Sequence, residues 1–209
     1  MASLRVDPAT CSDVDLARAV AWLRAGGVVV FPTETFYGLA VDPRSAGAVA
    51  SVLDLKGRPA ALALPLVAAT LAAVESWCGP VPPRTRRLAE RFWPGPLSLL
   101  VEGPADLAPG VAGRDGSVAI RVPGHRVAAT LAGAFGAPVT ATSANRSGRA
   151  PARHPGEVGD LGRDPRVLIV DAGETAGGLP STIVDARREP PALVREGAVP
   201  WERVLESLY

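Results

Sequence analysis

The stretch FPTETFYGLA, Phe31 to Ala40, follows the β-branched run Val28-Val29-Val30. The valines and Phe31 predict a buried strand, and Tyr37 to Val41 predicts extended chain again. Between them stand Thr33, Glu34 and Thr35. A surface turn would usually carry Gly, Asn or Asp there, and a plain core strand would carry no such cluster. A strand that rises out of a core and ends in two hydroxyls and a carboxylate places chemistry at the edge of a sheet.

Working outward, Ser12 and Asp13 cap a predicted helix through Leu16, Val20 and Leu23, stopped by Gly26-Gly27. Ser45 to Leu55 reads as a second helix and Leu64 to Ala68 as a short buried strand. A helix follows Pro82-Pro83, passing through Leu88 and Phe92. Leu97 to Val101, Val118 to Val122 and Val139 to Thr142 read as strands, with a helix around Ala128 to Phe135. Val167 to Val170, Ile183 to Val184 and Leu193 to Val194 are further short strands. A last helix after Pro200 carries Val204, Leu205 and Leu208. Helices and strands mix without the strict alternation of a doubly wound sheet, which predicts an α/β domain with a mixed sheet. At 209 residues and 47% hydrophobic, the chain is read as one domain over residues 1–209.

Composition narrows the function. The formal net charge is +1, so no global field draws the chain to nucleic acid or membrane, and any anion site is local. Cys11 and Cys78 match no metal or redox spacing, which argues against a zinc site or a disulfide framework. No leader signature stands at the N-terminus, and no apolar run reaches the roughly 18 residues of a membrane span. A soluble cytoplasmic protein is expected. Among 22 basic residues Lys56 is the one lysine, which raises the question of whether a compact ammonium is wanted there.

Polar residues gather at the ends of apolar runs in four places besides the opening one. They are Lys56-Gly57-Arg58-Pro59, Ser117 to Pro123 with Arg121 interrupting a β run, Ala141-Thr142-Ser143-Ala144-Asn145, and Gly177 to Thr182 with Arg195 closing the next strand. Taken singly, each is an ordinary cap, turn or snorkelling side chain. Taken together, four cations with hydroxyl and amide donors between them suit a polyphosphate plus a small zwitterion. Neither a Walker loop nor a G-x-G-x-x-G is present, so a nucleotide would bind in a non-standard way.

In order along the chain, PTETFYGLA, KGRP, FWPGPLSLLV, VAIRVPGH, ATSANRSG, DAG followed by GGLPSTIVD, and LVREGAV resemble the blocks of the YrdC-type threonylcarbamoyl-AMP synthases, from about Gly26 to Gly197. The resemblance implies a YrdC-like fold, a twisted mixed sheet with flanking helices around a concave basic cavity. It implies a reaction too: L-threonine, bicarbonate and ATP, with Mg²⁺, give threonylcarbamoyl-adenylate and pyrophosphate. The product would pass to a tRNA-modifying threonylcarbamoyl transferase complex. By the same resemblance Lys56 and Arg58 are the catalytic cations on the ATP phosphates. Ser117, Ser143, Asn145 and Arg195 serve the nucleotide. Thr33, Thr35, Arg121, Ala141 and Ser181 serve threonine, with Arg121 on its carboxylate. Thr33, Glu34 and Thr35 would face the cavity, and Phe36 and Tyr37 would wall it. The chain departs from the family pattern at Ala60-Ala61-Leu62-Ala63 and at Val67, where longer members carry a histidine.

Two other readings compete with this one. A non-catalytic module holding tRNA or double-stranded RNA would scatter cations along a wide face with exposed aromatics, whereas aromatics here are 5%. The related domain of hydrogenase-maturation proteins travels with zinc-finger and phosphatase-like domains, for which the chain has no room and too few cysteines.

Overall fold

The computed structural model describes residues 2–57 and 63–208. The elements run β1 (Ala2–Arg5), α1 (Asp13–Arg24), β2 (Val28–Pro32), β3 (Tyr37–Ala40), α2 (Ala46–Lys56), β4 (Leu66–Val67), α3 (Leu71–Cys78) and α4 (Pro83–Phe92). They continue with β5 (Leu97–Glu102), β6 (Ser117–Arg121), α5 (Arg126–Phe135), β7 (Val139–Thr140), β8 (Thr142–Ser143), a 3₁₀ segment (Pro155–Arg163), β9 (Val167–Asp171), β10 (Thr182–Asp185), β11 (Ala192–Arg195) and α6 (Trp201–Glu206).

The strands form two sheets, in the orders β1-β9-β2-β3-β8 and β11-β10-β5-β6-β4-β7. Both are mixed. In the first, β2 runs parallel to β9 and antiparallel to β3. In the second, β10 is parallel to β5, and β5 is antiparallel to β6. Two sheets replace the one expected from the sequence. The reason lies at 139–143, which reads as one strand but divides at Ala141. Thr140 N donates to Val41 O (3.1 Å) and Ala141 N to Pro65 O (2.7 Å), so the chain changes partners there. β7 joins the second sheet through β4, and β8 joins the first through β3.

β2 is buried on both faces, as its run of apolar residues requires. Val28 and Val30 point into a cluster with α2, Leu66 and Ile120, between the sheets. Val29 and Phe31 alternate to the other face and pack with Leu16 and Leu23 of α1 and Leu131 of α5. A third cluster joins Leu88 of α4, Leu97 and Leu99 of β5 and Val204 of α6. No helix among the described residues is long and apolar enough to cross a membrane.

Candidate active site

The ends of the strands open onto one cavity. Its wall includes Thr33 and Thr35 from the β2–β3 corner, Arg121 from β6, Ser143 from β8, Ser181 before β10 and Arg195 from β11. The charged side chains of that wall are Arg121 and Arg195, with no carboxylate among the described lining residues. Ala141 lines it too, at the point where the chain crosses between sheets.

The corner is held by its own side chains. Thr33 Oγ1 donates to Phe36 O (2.7 Å) and lies 3.3 Å from Thr35 Oγ1. Thr35 O accepts from Gly177 N (2.8 Å) and Thr175 Oγ1 (2.9 Å), which ties the corner to the segment before β10. Behind it Tyr37 donates its hydroxyl to Gly173 O (2.7 Å). Burial pushes the Tyr37 phenol up to about 12, so it stays protonated and a donor.

Arg121 is 5% exposed, and its Nε donates to Glu34 Oε1 at 3.2 Å. Glu34 was expected to face the cavity, but it turns behind the wall to meet this guanidinium. A buried arginine needs a counter-charge, and Glu34 is the nearest one the sheet edge offers. On the far side, Arg195 donates through Nη2 to Ser181 O (2.6 Å) and Ser181 Oγ (3.1 Å). Ser181 Oγ is also 3.0 Å from Ser98 Oγ. Ser98 went unassigned in the sequence, where the one signal was a hydroxyl within the apolar run Leu97–Val101.

The remaining expected residues lie elsewhere. Lys56 is 4% exposed and outside the cavity wall. Its Nζ donates to Ser143 O (2.5 Å) and Asn145 O (3.0 Å), with Asn145 Oδ1 at 3.4 Å. It reaches them because α2 ends at Gly57, whose φ of +58° is left-handed and favours glycine. Asn145 spends its Nδ2 on Arg149 O (2.5 Å) and Arg146 O (3.1 Å). Ser117 shares the Arg121 face of β6 but donates to Asp115 Oδ1 (2.7 Å) outside the cavity. The Arg187 guanidinium and that hydroxyl hold the Asp115 carboxyl well below its ordinary range. Arg58 and Ala60 to Leu62 lie outside the described residues. Val67, expected on the threonine side, is fully buried in the α1/α5 cluster.

Hydroxyls, a paired arginine and a second arginine around one cavity define a site for a small anionic or zwitterionic ligand. The chain belongs to the Sua5/YciO/YrdC family, described as telomere recombination, whose profile matches residues 21–197. It is 37% identical over 201 residues to a threonylcarbamoyl-AMP synthase of Bacillus subtilis (strain 168), covering 95% of this chain and 58% of that one. It is 40% identical over 182 residues to a threonylcarbamoyl-AMP synthase of Stenotrophomonas maltophilia (strain K279a), covering 83% and 95%. The crystal structure of P. abyssi Sua5 complexed with L-threonine superposes with a TM-score of 0.88 at 32% identity, covering 99% of this chain and 60% of that one. The chain thus spans about three-fifths of the B. subtilis and P. abyssi proteins. The fold is the YrdC-like α/β architecture of this family.

Proposed function

We propose that the chain is a threonylcarbamoyl-AMP synthase, joining L-threonine, bicarbonate and ATP into threonylcarbamoyl-adenylate and pyrophosphate. The observation that carries this reading is the convergence of Thr33, Thr35, Arg121, Ser143, Ser181 and Arg195 on one cavity. Threonine binds with its carboxylate on Arg121 and its hydroxyl among the corner and Ser181 hydroxyls. The nucleotide lies toward Ser143, Asn145 and Arg195.

The deprotonated amine attacks the carbon of bicarbonate, a C–O bond breaks and water leaves, giving a carbamate. The carbamate oxygen attacks the α-phosphorus, and the bond to the β,γ-pyrophosphate breaks. The protein contributes position and charge, holding the reactants in line. Lys56 acts here through the Ser143–Asn145 loop that it holds, and Arg58 is assigned to the phosphates by the family pattern alone. Among the described residues no group of three or more His, Cys, Asp or Glu could hold a metal. The donors beside the nucleotide end are hydroxyl and amide oxygens, a set that fits Mg²⁺ arriving on the triphosphate, where it would offset leaving-group charge. The product would go to a tRNA-modifying threonylcarbamoyl transferase complex in the cytoplasm.

The test is incubation with ATP, bicarbonate and each amino acid in turn, following pyrophosphate and acyl-adenylate. Turnover requiring both threonine and bicarbonate is expected. ATP hydrolysis indifferent to both, or no turnover alongside tight tRNA or double-stranded RNA binding, overturns the reading in favour of an RNA-binding module.

A further inference from the structure

Glu34 stands one layer behind the cavity, and its two oxygens differ. Oε1 holds Arg121 Nε at 3.2 Å, while Oε2 is buried without a hydrogen-bond partner among the described residues. The same is true of the neighbouring His125 Nδ1. Burial pushes the His125 imidazole down, against the pull of the Glu34 charge, so His125 adds no cation beside this carboxylate. Arg121 itself lines the cavity, with its Nε on Glu34.

We propose that Glu34 is the positioning residue that makes this site select a zwitterionic amino acid over a simple carboxylate. The inference rests on the reading of Arg121 as the carboxylate-binding residue. Arg121 and Glu34 together carry no net charge, so a plain anion gains little from them. An α-amino acid lying along the pair places its carboxylate on the guanidinium and its ammonium within the field of the unpartnered Glu34 oxygen. Both of its ends gain. Removing the Glu34 charge leaves the Arg121 charge unbalanced by it, which favours the plain anion and disfavours the zwitterion. A role confined to bracing Arg121 would move both ligands the same way.

The test is calorimetric titration, without ATP, of L-threonine and its α-hydroxy analogue 2,3-dihydroxybutanoate, into wild type, Glu34→Gln and Glu34→Asp. Gln keeps an acceptor for Arg121 Nε and loses the charge; Asp keeps the charge. Wild type is expected to prefer threonine. In Glu34→Gln threonine should weaken and the hydroxy acid tighten, so that their ratio falls by about tenfold, while Glu34→Asp keeps the preference. Both ligands weakening by one factor in Glu34→Gln, or an unchanged ratio, overturns the inference and leaves the proposed function standing. A collapsed preference in Glu34→Asp overturns it as well. Wild type binding no threonine overturns the proposed function, and this inference with it.

Discussion

Arg121 and Lys56 are both buried cations at strand or helix ends, 5% and 4% exposed, yet the molecule uses them in opposite ways. Arg121 is paired behind the cavity wall with Glu34 and remains part of the lining. Lys56 lies outside the lining and gives its ammonium to the carbonyls of the loop that carries Ser143 and Asn145. One is a cavity-lining cation braced by a counter-charge, and the other is a latch that holds a neighbouring loop. A rare residue in the sequence marks a demanding environment, without saying whether the demand comes from a ligand or from the fold.

The largest effect is expected from Arg121→Ala. It leaves Glu34 buried and unpaired, which should cost about 3–5 kcal/mol and abolish threonine-dependent turnover. Chemical denaturation and a turnover assay check this, and a loss of under about 1 kcal/mol would mean the pair is solvated. Next is Val67→His. Because Val67 is fully buried among α5 residues, an imidazole there is overpacked and lacks a designed partner. A loss of about 2–4 kcal/mol is expected, with no gain in threonine affinity. A lower threonine KM at unchanged stability would put position 67 on the cavity after all.

Lys56→Arg sharpens the other arm. The larger, planar guanidinium must enter a site fitted to an ammonium among carbonyls, at a cost of about 1–3 kcal/mol in stability besides lost turnover. A residue following a helix end would be expected to tolerate the change. An unchanged thermal midpoint with lost turnover would return Lys56 to direct phosphate contact. Ser98→Ala is the mildest: it removes the hydroxyl beside Ser181 and should cost about 1 kcal/mol, with a modest rise in threonine KM. No change in either would make the Ser98–Ser181 contact incidental.

Local pattern was enough wherever a residue's environment is set by its neighbours in sequence. The buried run Val28 to Phe31, the Ser12 start of α1 and the Pro83 start of α4 were legible for that reason. α3 was not read, although Thr70 caps it by accepting from Ala73 N and Gly79 follows its end. It has eight residues and fully buries just Val74, so its stripe of Leu71, Val74 and Cys78 covers barely two turns. β1 is an edge strand whose pairing comes from β9, far along the chain. The same limit applies to the site. Motif resemblance collected Thr33, Thr35, Arg121, Ala141, Ser143, Ser181 and Arg195, and the fold brings them to one cavity. It could not show that Glu34 turns away to Arg121, 87 positions on, that Lys56 is spent on its own fold, or that Ser117 is spent on Asp115.

The division of labour between the two cations is tested most directly by titrating L-threonine without ATP, and ATP without threonine, into wild type, Arg121→Lys and Lys56→Arg. Arg121→Lys should weaken threonine by about tenfold or more, through loss of bidentate carboxylate contact, and leave ATP within about twofold. Lys56→Arg should do the reverse, by displacing the Ser143–Asn145 loop. Equal loss of both ligands in both variants would contradict the account, because the two cations would then serve one undivided site.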